Sequence, residues 1–207
     1  MTTTYSVRPV TEHEQQQAIS ALVTAFGNDP VMRWVFPDPH QYLTHFPEFA
    51  RLFGGRAIDS GTAYCAGDFV AAALWLPPGV QPDEEGLIGL LQQVVAERQR
   101  EALFAILEAA AEYHPAEPHW YLPLLGVAPT CQGGQGYGSA LLARALAQCD
   151  AAGFPRTSSR RTNETSRFTS GTGSKCSAPS MRGTPRRFGR CSERRGNTLQ
   201  PWRKERQ

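Results

Sequence analysis

The chain has 207 residues, 41% hydrophobic and 19% charged, enough for one domain with a core of its own plus an appendage. Its net charge of +2 hides a split: up to Pro155 there are 7 Arg, no Lys and 16 Asp plus Glu, a balance of −9, whereas from Arg156 onward 12 Arg and 2 Lys face 3 Glu, a balance of +11. Missing are an apolar run of about 18 residues, which excludes a transmembrane helix, an internal repeat, which excludes solenoids and propellers, and the basic start and apolar block of a signal peptide, so a cytoplasmic chain with reduced thiols is expected.

Tyr5 to Val10 alternates apolar and polar side chains and predicts an opening strand. Thr11 can cap a helix, with Glu14 as capping-box partner and Ala18, Leu22, Val23 and Phe26 on one face. Gly27-Asn28-Asp29-Pro30 ends it. Val31 to Phe36 and Tyr42 to Phe53 read as short, aromatic-rich helical pieces. Gly61 to Cys65 and Phe69 to Leu76, joined by Ala66-Gly67-Asp68, predict a β-hairpin closed off by Pro77-Pro78-Gly79. Glu84 to Tyr113 carries helical periodicity long enough for two helices. Trp120 to Val127 is an apolar run of strand length, of the kind covered on both faces of a central sheet. Its Pro123 cannot donate to a ladder and implies a bulge or an unpaired position. Ser139 to Ala152 returns to helical spacing.

Nothing in the spacing of Cys65, Cys131, Cys149, Cys176 and Cys191, or of His13, His40, His45, His114 and His119, points to a metal site. The informative segment is Ala128 to Ser139, where Gly133, Gly134, Gly136 and Gly138 lie between a strand and a helix start. Glycines allow positive φ and close approach, so successive amide N–H groups can converge on an anion at the positive end of the helix. A phosphate-binding loop of the Walker type is excluded, because no Lys-Ser/Thr follows. A dinucleotide fingerprint fits poorly, since the glycines are misspaced and no acidic residue follows about 20 positions on.

The run Leu125-Gly126-Val127-Ala128-Pro129, Gln132-Gly133 and Gly136-Tyr137-Gly138-Ser139-Ala140-Leu141-Leu142 resembles the acetyl-CoA motif of the GNAT acetyltransferase superfamily, Val-x-Pro-x-x-Gln/Arg-Gly-x-Gly-x-Gly-Ser-x-Leu. The opening strand, the Ala25 to Pro30 segment and the hairpin are similar to that family too, so that the resemblance covers about residues 5 to 155. One departure is an extra residue near Gly133-Gly134-Gln135, which leaves Gln132 and Gln135 competing for one motif position. The resemblance implies an α/β (α+β) fold with a mixed central sheet flanked by helices. It implies that the amides of Gln132, Gly133, Gly134, Gln135, Gly136, Tyr137, Gly138 and Ser139 hold the pyrophosphate of acetyl-CoA, and that the strand amides near Leu125 and Val127 pair with its pantetheine arm. The reaction implied is direct attack of an amine, of a small molecule or a protein, on the acetyl carbonyl, with a base taking the amine proton and an acid protonating the thiolate. The base is not assigned: Glu117, His119 and Tyr121 lie near the strand, and each has an ordinary reading as a surface or packing residue.

From Arg156 the composition changes to 15 Ser plus Thr in 52 residues, with no Val or Ile and a single Leu, Leu199. Such a segment buries too little apolar area to offset its conformational entropy, and disorder is expected. An Arg-rich arm could bind nucleic acid, and a catalytically dead scaffold is a further alternative. The resemblance suggests another origin. The family continues after this point with a fifth strand, a helix and a closing hairpin, which the tail lacks. Read one base earlier, with codons permitted for Arg156 to Ser180, the tail can encode AYLESSNERNVPFYERHGFEVLGAI, which is similar to that continuation. The expectation is therefore a GNAT-like domain over 1–155, its C-terminal strands missing, followed by a basic, frame-disrupted tail over 156–207 and impaired in catalysis.

Overall fold

The computed structural model describes residues 6–111, 114–153 and 156–158. Five strands form one sheet in the order β1 to β5: β1 (Val7–Pro9), β2 (Ala63–Ala66), β3 (Ala71–Leu76), β4 (Trp120–Val127) and β5 (Arg156–Ser158). The first four run antiparallel and β5 joins β4 in parallel. Side-chain alternation divides the interior in two. Cys65, Ala72, Leu74, Leu76, Tyr121 and Leu124 face the helices α1 (Gln15–Phe26), α2 (Pro30–Val35), α3 (Pro39–Gly54), α4 (Arg56–Asp59), α5 (Glu84–Val94) and α6 (Glu97–Ala111). Tyr64, Ala73, Trp75, Trp120 and Leu122 face the single helix α7 (Tyr137–Ala152) through Leu141, Ala145 and Cys149. With both faces covered, every residue of β2 and β3 is buried, which is why these strands read as continuous apolar runs.

Local chemistry sets the element ends. The Glu14 carboxylate reaches back to the Thr11 N–H at 3.0 Å and its hydroxyl at 2.9 Å, as the capping pattern predicts, although the capped turn is a 3₁₀ turn over Glu12–Glu14 that leads into α1. Asp29 accepts from the Val31 and Met32 amides at 3.0 and 2.9 Å, so the segment that ends α1 also starts α2. Asp38 and Asp83 start α3 and α5 in the same way. Three boundaries differ from the sequence reading. Helix α3 begins at Pro39 and runs on through Pro47. An interior proline costs about 3 kcal/mol, which the burial of Tyr42, Phe46, Phe49 and Ala50 offsets. Phe69 belongs to the hairpin turn, where Gly67, Asp68 and Phe69 all have positive φ, and β3 starts at Ala71. Helix α7 starts two residues early, at Tyr137.

Residues 156–158, which composition assigns to the tail, correct the expectation that no fifth strand is present: they pair with Trp120, Tyr121 and Leu122. The disorder and nucleic-acid expectations fall on the remaining tail, outside the described residues. Among the described residues no helix is long and apolar enough to cross a membrane, and no three His, Cys, Asp or Glu side chains are grouped to hold a metal.

The Arg8 and Glu14 side chains form a two-pronged ion pair at 2.8 and 2.7 Å. Hydrogen bonds from Arg8, then from Thr11, lower the Glu14 carboxyl from an ordinary 4.5 to about 2. A carboxyl depressed in the folded state adds stability above its unfolded value and loses it as pH falls through the folded one. Wild type should therefore melt above Glu14→Gln at pH 6, with the gap closing between pH 4.5 and about 2. A gap that stays constant over that range in thermal melts would refute this role.

Candidate active site

The outer edge of β4 is built by hydrogen-bond alternation. The Ala128 N–H donates to the Val70 carbonyl at 2.8 Å, and the ladder continues with Gly126 opposite Ala72 and Leu124 opposite Leu74. Those residues spend their main-chain groups on β3, so Leu125 and Val127 turn theirs the other way. On that side β5 pairs only with Trp120, Tyr121 and Leu122. From Pro123 to Val127 no strand among the described residues covers the edge. The β3–β4 register slips between Leu74 and Leu76, and Pro123 pairs with neither neighbour. The proline thus sits at the bulge that its missing N–H calls for, and the slip moves Leu124 and Leu125 to the faces they occupy. Gly126 is required for a different reason: a Cβ there would stand 2.5 Å from the Ala25 Cβ, so its absence lets α1 lie close on the strand.

Beyond Val127 the chain makes a 3₁₀ turn over Pro129–Cys131 and enters the glycine loop. Gly133, Gly134 and Gly136 take φ of 84°, 114° and 85°, a region closed to most side chains. Residues 132–136 are exposed, and Tyr137, Gly138 and Ser139 are half-buried. Gly136 caps α7, whose first intrahelical bond is Ala140 N–H to the Gly136 carbonyl at 2.9 Å. The N–H groups of Tyr137, Gly138 and Ser139 therefore precede any intrahelical acceptor and mark the positive end of a 16-residue helix. Gly138 packs over the strand edge, its Cβ position 3.6 Å from Val127 Cγ2 and 3.9 Å from Leu125 Cδ2. The Tyr137 ring lies against Gly67 in the β2–β3 turn. Loop, helix end and outward-facing strand groups thus form one continuous surface. The two glutamines differ: Gln132 Nε2 donates to the Val127 carbonyl at 2.8 Å, occupying one of the outward groups, while Gln135 is exposed.

At the other end of β4 the three candidates for proton transfer separate. Glu117 is exposed and contributes its carbonyl, which lies 2.9 Å from His119 Nδ1. Tyr121 is buried between Phe53 and a residue the sequence reading did not single out, His114, whose ring centroid is 4.5 Å from that of Tyr121. His114 Nδ1 lies 3.2 Å from His119 Nε2. Burial, and secondarily His119, lowers the His114 pKa below the usual histidine value. On the α7 face the buried indole N–H groups of Trp75 and Trp120 have no acceptor among the described residues.

No family model matches the chain. Solved structures do. A crystal structure described as histone acetyltransferase HPA2 and related acetyltransferase from Corynebacterium glutamicum superposes with a TM-score of 0.58 at 24% identity, covering 82% of this chain and 84% of that one. Arylalkylamine N-acetyltransferase 2 from Aedes aegypti gives 0.56 at 13% identity, with 82% of each chain covered. An agmatine N-acetyltransferase gives 0.56 at 16% identity over the same shares. The antiparallel β1–β4 and the parallel β5, with the helices on both faces, are therefore similar in fold to these solved acetyltransferases.

Proposed function

We propose that this chain binds acetyl-CoA along the β4 edge and the loop 132–139 and moves its acetyl group to an amine, at a rate lowered by the tail that replaces the family's usual continuation. The observation that carries the reading is the pair of outward-turned residues, Leu125 and Val127, leading into the positive end of α7. The spacing fits the group. A pantetheine arm carries amides that need alternating donors and acceptors, and a diphosphate needs N–H groups without side chains in the way. When bound, acetyl-CoA would supply an acetyl thioester at the bulge end of β4. The amides of Gln132, Gly133, Gly134, Gln135, Gly136, Tyr137, Gly138 and Ser139 would hold its diphosphate, and Leu125 and Val127 would align the arm so that the carbonyl meets the amine in one orientation. Gln132 must release the Val127 carbonyl as the arm arrives.

The acceptor is proposed as an amine of a small molecule or protein. Acetyl-CoA at 100 times its dissociation constant should stabilise the chain by about 2.7 kcal/mol, or a few degrees in Tm. CoA should act similarly, because most of the proposed contacts lie on the diphosphate and arm. Thermal melts with acetyl-CoA, CoA and ATP test this, and a shift no larger than that from ATP would overturn the reading.

A further inference from the structure

The turn leading into β4 holds two histidines whose proton positions follow from their partners. His119 Nδ1 faces the Glu117 carbonyl at 2.9 Å. A carbonyl oxygen only accepts, so Nδ1 carries the proton and Nε2 of neutral His119 keeps its lone pair. That lone pair stands 3.2 Å from His114 Nδ1, which must therefore donate. Neutral His114 is left with its proton on Nδ1 and a lone pair on Nε2. A proton arriving at His114 Nε2 forms an imidazolium whose other N–H already has an acceptor, and that acceptor is held by a main-chain carbonyl.

The location suits a use for that lone pair. His114 packs edge-on against Tyr121, the middle residue of the three by which β4 pairs with β5 and two before the unpaired Pro123. An arm starting at Val127 and following the strand edge to Pro123 covers about 13 Å at ~3.3 Å per residue. Its reacting end would then reach the bulge, two residues from Tyr121. Burial favours neutral His114, the form able to accept a proton. Of the described residues, His119 and Tyr121 are the titratable side chains in contact with it.

We infer that His114 accepts the proton of the attacking amine and that His119 is a positioning residue that holds its tautomer. This rests on the acetyl-transfer reading. As the amine nitrogen bonds to the acetyl carbon, the carbon–sulfur bond breaks and the thiolate leaves with its electron pair. The amine proton passes to His114 Nε2 and from there to the thiolate, which restores the neutral pair.

The test uses the full chain. Histidine 15N shifts at pH 7.5 should show the Nδ1–H tautomer for both His114 and His119, and an Nε2–H form on either overturns the assignment whether or not any variant folds. Transfer from acetyl-CoA to agmatine and to tryptamine is then read as accumulated product by mass spectrometry, so that slow turnover still registers. His114→Gln should lower kcat about 100-fold, leave the acetyl-CoA melting shift unchanged, and recover partly at high pH, where the amine arrives deprotonated. His119→Ala should lose about tenfold and move the acidic limb of the pH profile, whereas His119→Gln, whose amide oxygen can accept the same bond, should restore both. Unchanged kcat in His114→Gln, or acetyl-CoA binding by wild type with no product from either amine at any pH, overturns the base. Failure of acetyl-CoA to stabilise wild type removes the functional reading as well.

Discussion

Ser139→Asp should weaken acetyl-CoA binding about 10- to 100-fold while leaving the Tm of the free chain equal or slightly higher. Ser139 is the third residue of α7, and the first turn of that helix holds no acidic residue. A carboxylate there interacts favourably with the helix end, by about 0.3–1 kcal/mol, so damage to the fold would not account for a loss of binding. Against a diphosphate held by the same N–H groups the sign reverses. Two like charges about 5 Å apart repel by about 1–3 kcal/mol at an effective dielectric constant between that of a protein surface and water. The penalty should shrink as salt is raised from 0.05 to 0.5 M, because the loop is exposed. Ser139→Ala, which removes only a hydroxyl, should stay within a few-fold of wild type. Calorimetric titration of the three chains decides the matter: equal affinities for wild type and Ser139→Asp would mean that the diphosphate, if bound at all, is bound elsewhere.

How far the chain explains itself depends on the range of the interactions involved. Thr11 with Glu14, Asp29 before Pro30, and Gly133, Gly134 and Gly136 act on neighbours a few positions away: the two caps form, and the three glycines take positive φ. Pro123 was legible for the same reason: a missing N–H is a property of the residue, and the ladder has to slip around it. Where tertiary packing outweighs local preference the reading departs. Pro47 argues for a break, yet the aromatic face formed by Tyr42, Phe46 and Phe49 carries α3 through it. Phe69 looks like the first residue of a strand, but the turn before it needs one more residue in the left-handed region. The Phe69 ring is then placed against the core, with the Arg8 guanidinium 5.2 Å from its centroid. His114 was invisible because nothing local distinguishes a histidine five residues before another. Only the Glu117 carbonyl and the Tyr121 ring give it a direction. The motif marked the glycine loop between strand and helix, while the orientation of Leu125 and Val127 required the pairing of Ala128 with Val70.

The larger change should come from the residues after Pro155. In the present chain β5 consists of Arg156, Thr157 and Ser158, paired with Trp120, Tyr121 and Leu122. Read one base earlier, with codons permitted for these residues, the same three positions can encode Ala, Tyr and Leu, followed by Glu-Ser-Ser. Tyr is strongly favoured in strands, and an apolar triplet suits a place beside a strand with both faces buried. Among the described residues the α7 face also offers no acceptor to the buried Trp75 and Trp120 indole N–H groups, and a buried donor left unpaired costs about 1–3 kcal/mol. We propose that a chain carrying AYLESSNERNVPFYERHGFEVLGAI from position 156 continues β5 and supplies those acceptors. Removing about 2–5 kcal/mol of such cost should raise the Tm by roughly 5–15 °C. We propose further that the second Tyr of that segment, in Pro-Phe-Tyr-Glu-Arg, protonates the leaving thiolate, so turnover should enter the ordinary enzyme range of about 1–1,000 per second. The present chain should stay at least 100-fold below it. Assaying both chains with the same amine, alongside resequencing of the codons for Phe154 to Arg156, tests the two halves of the argument together. Equal Tm and equal turnover in the two chains would show that the basic tail is no defect, and that Arg156 to Ser158 complete the sheet as they stand.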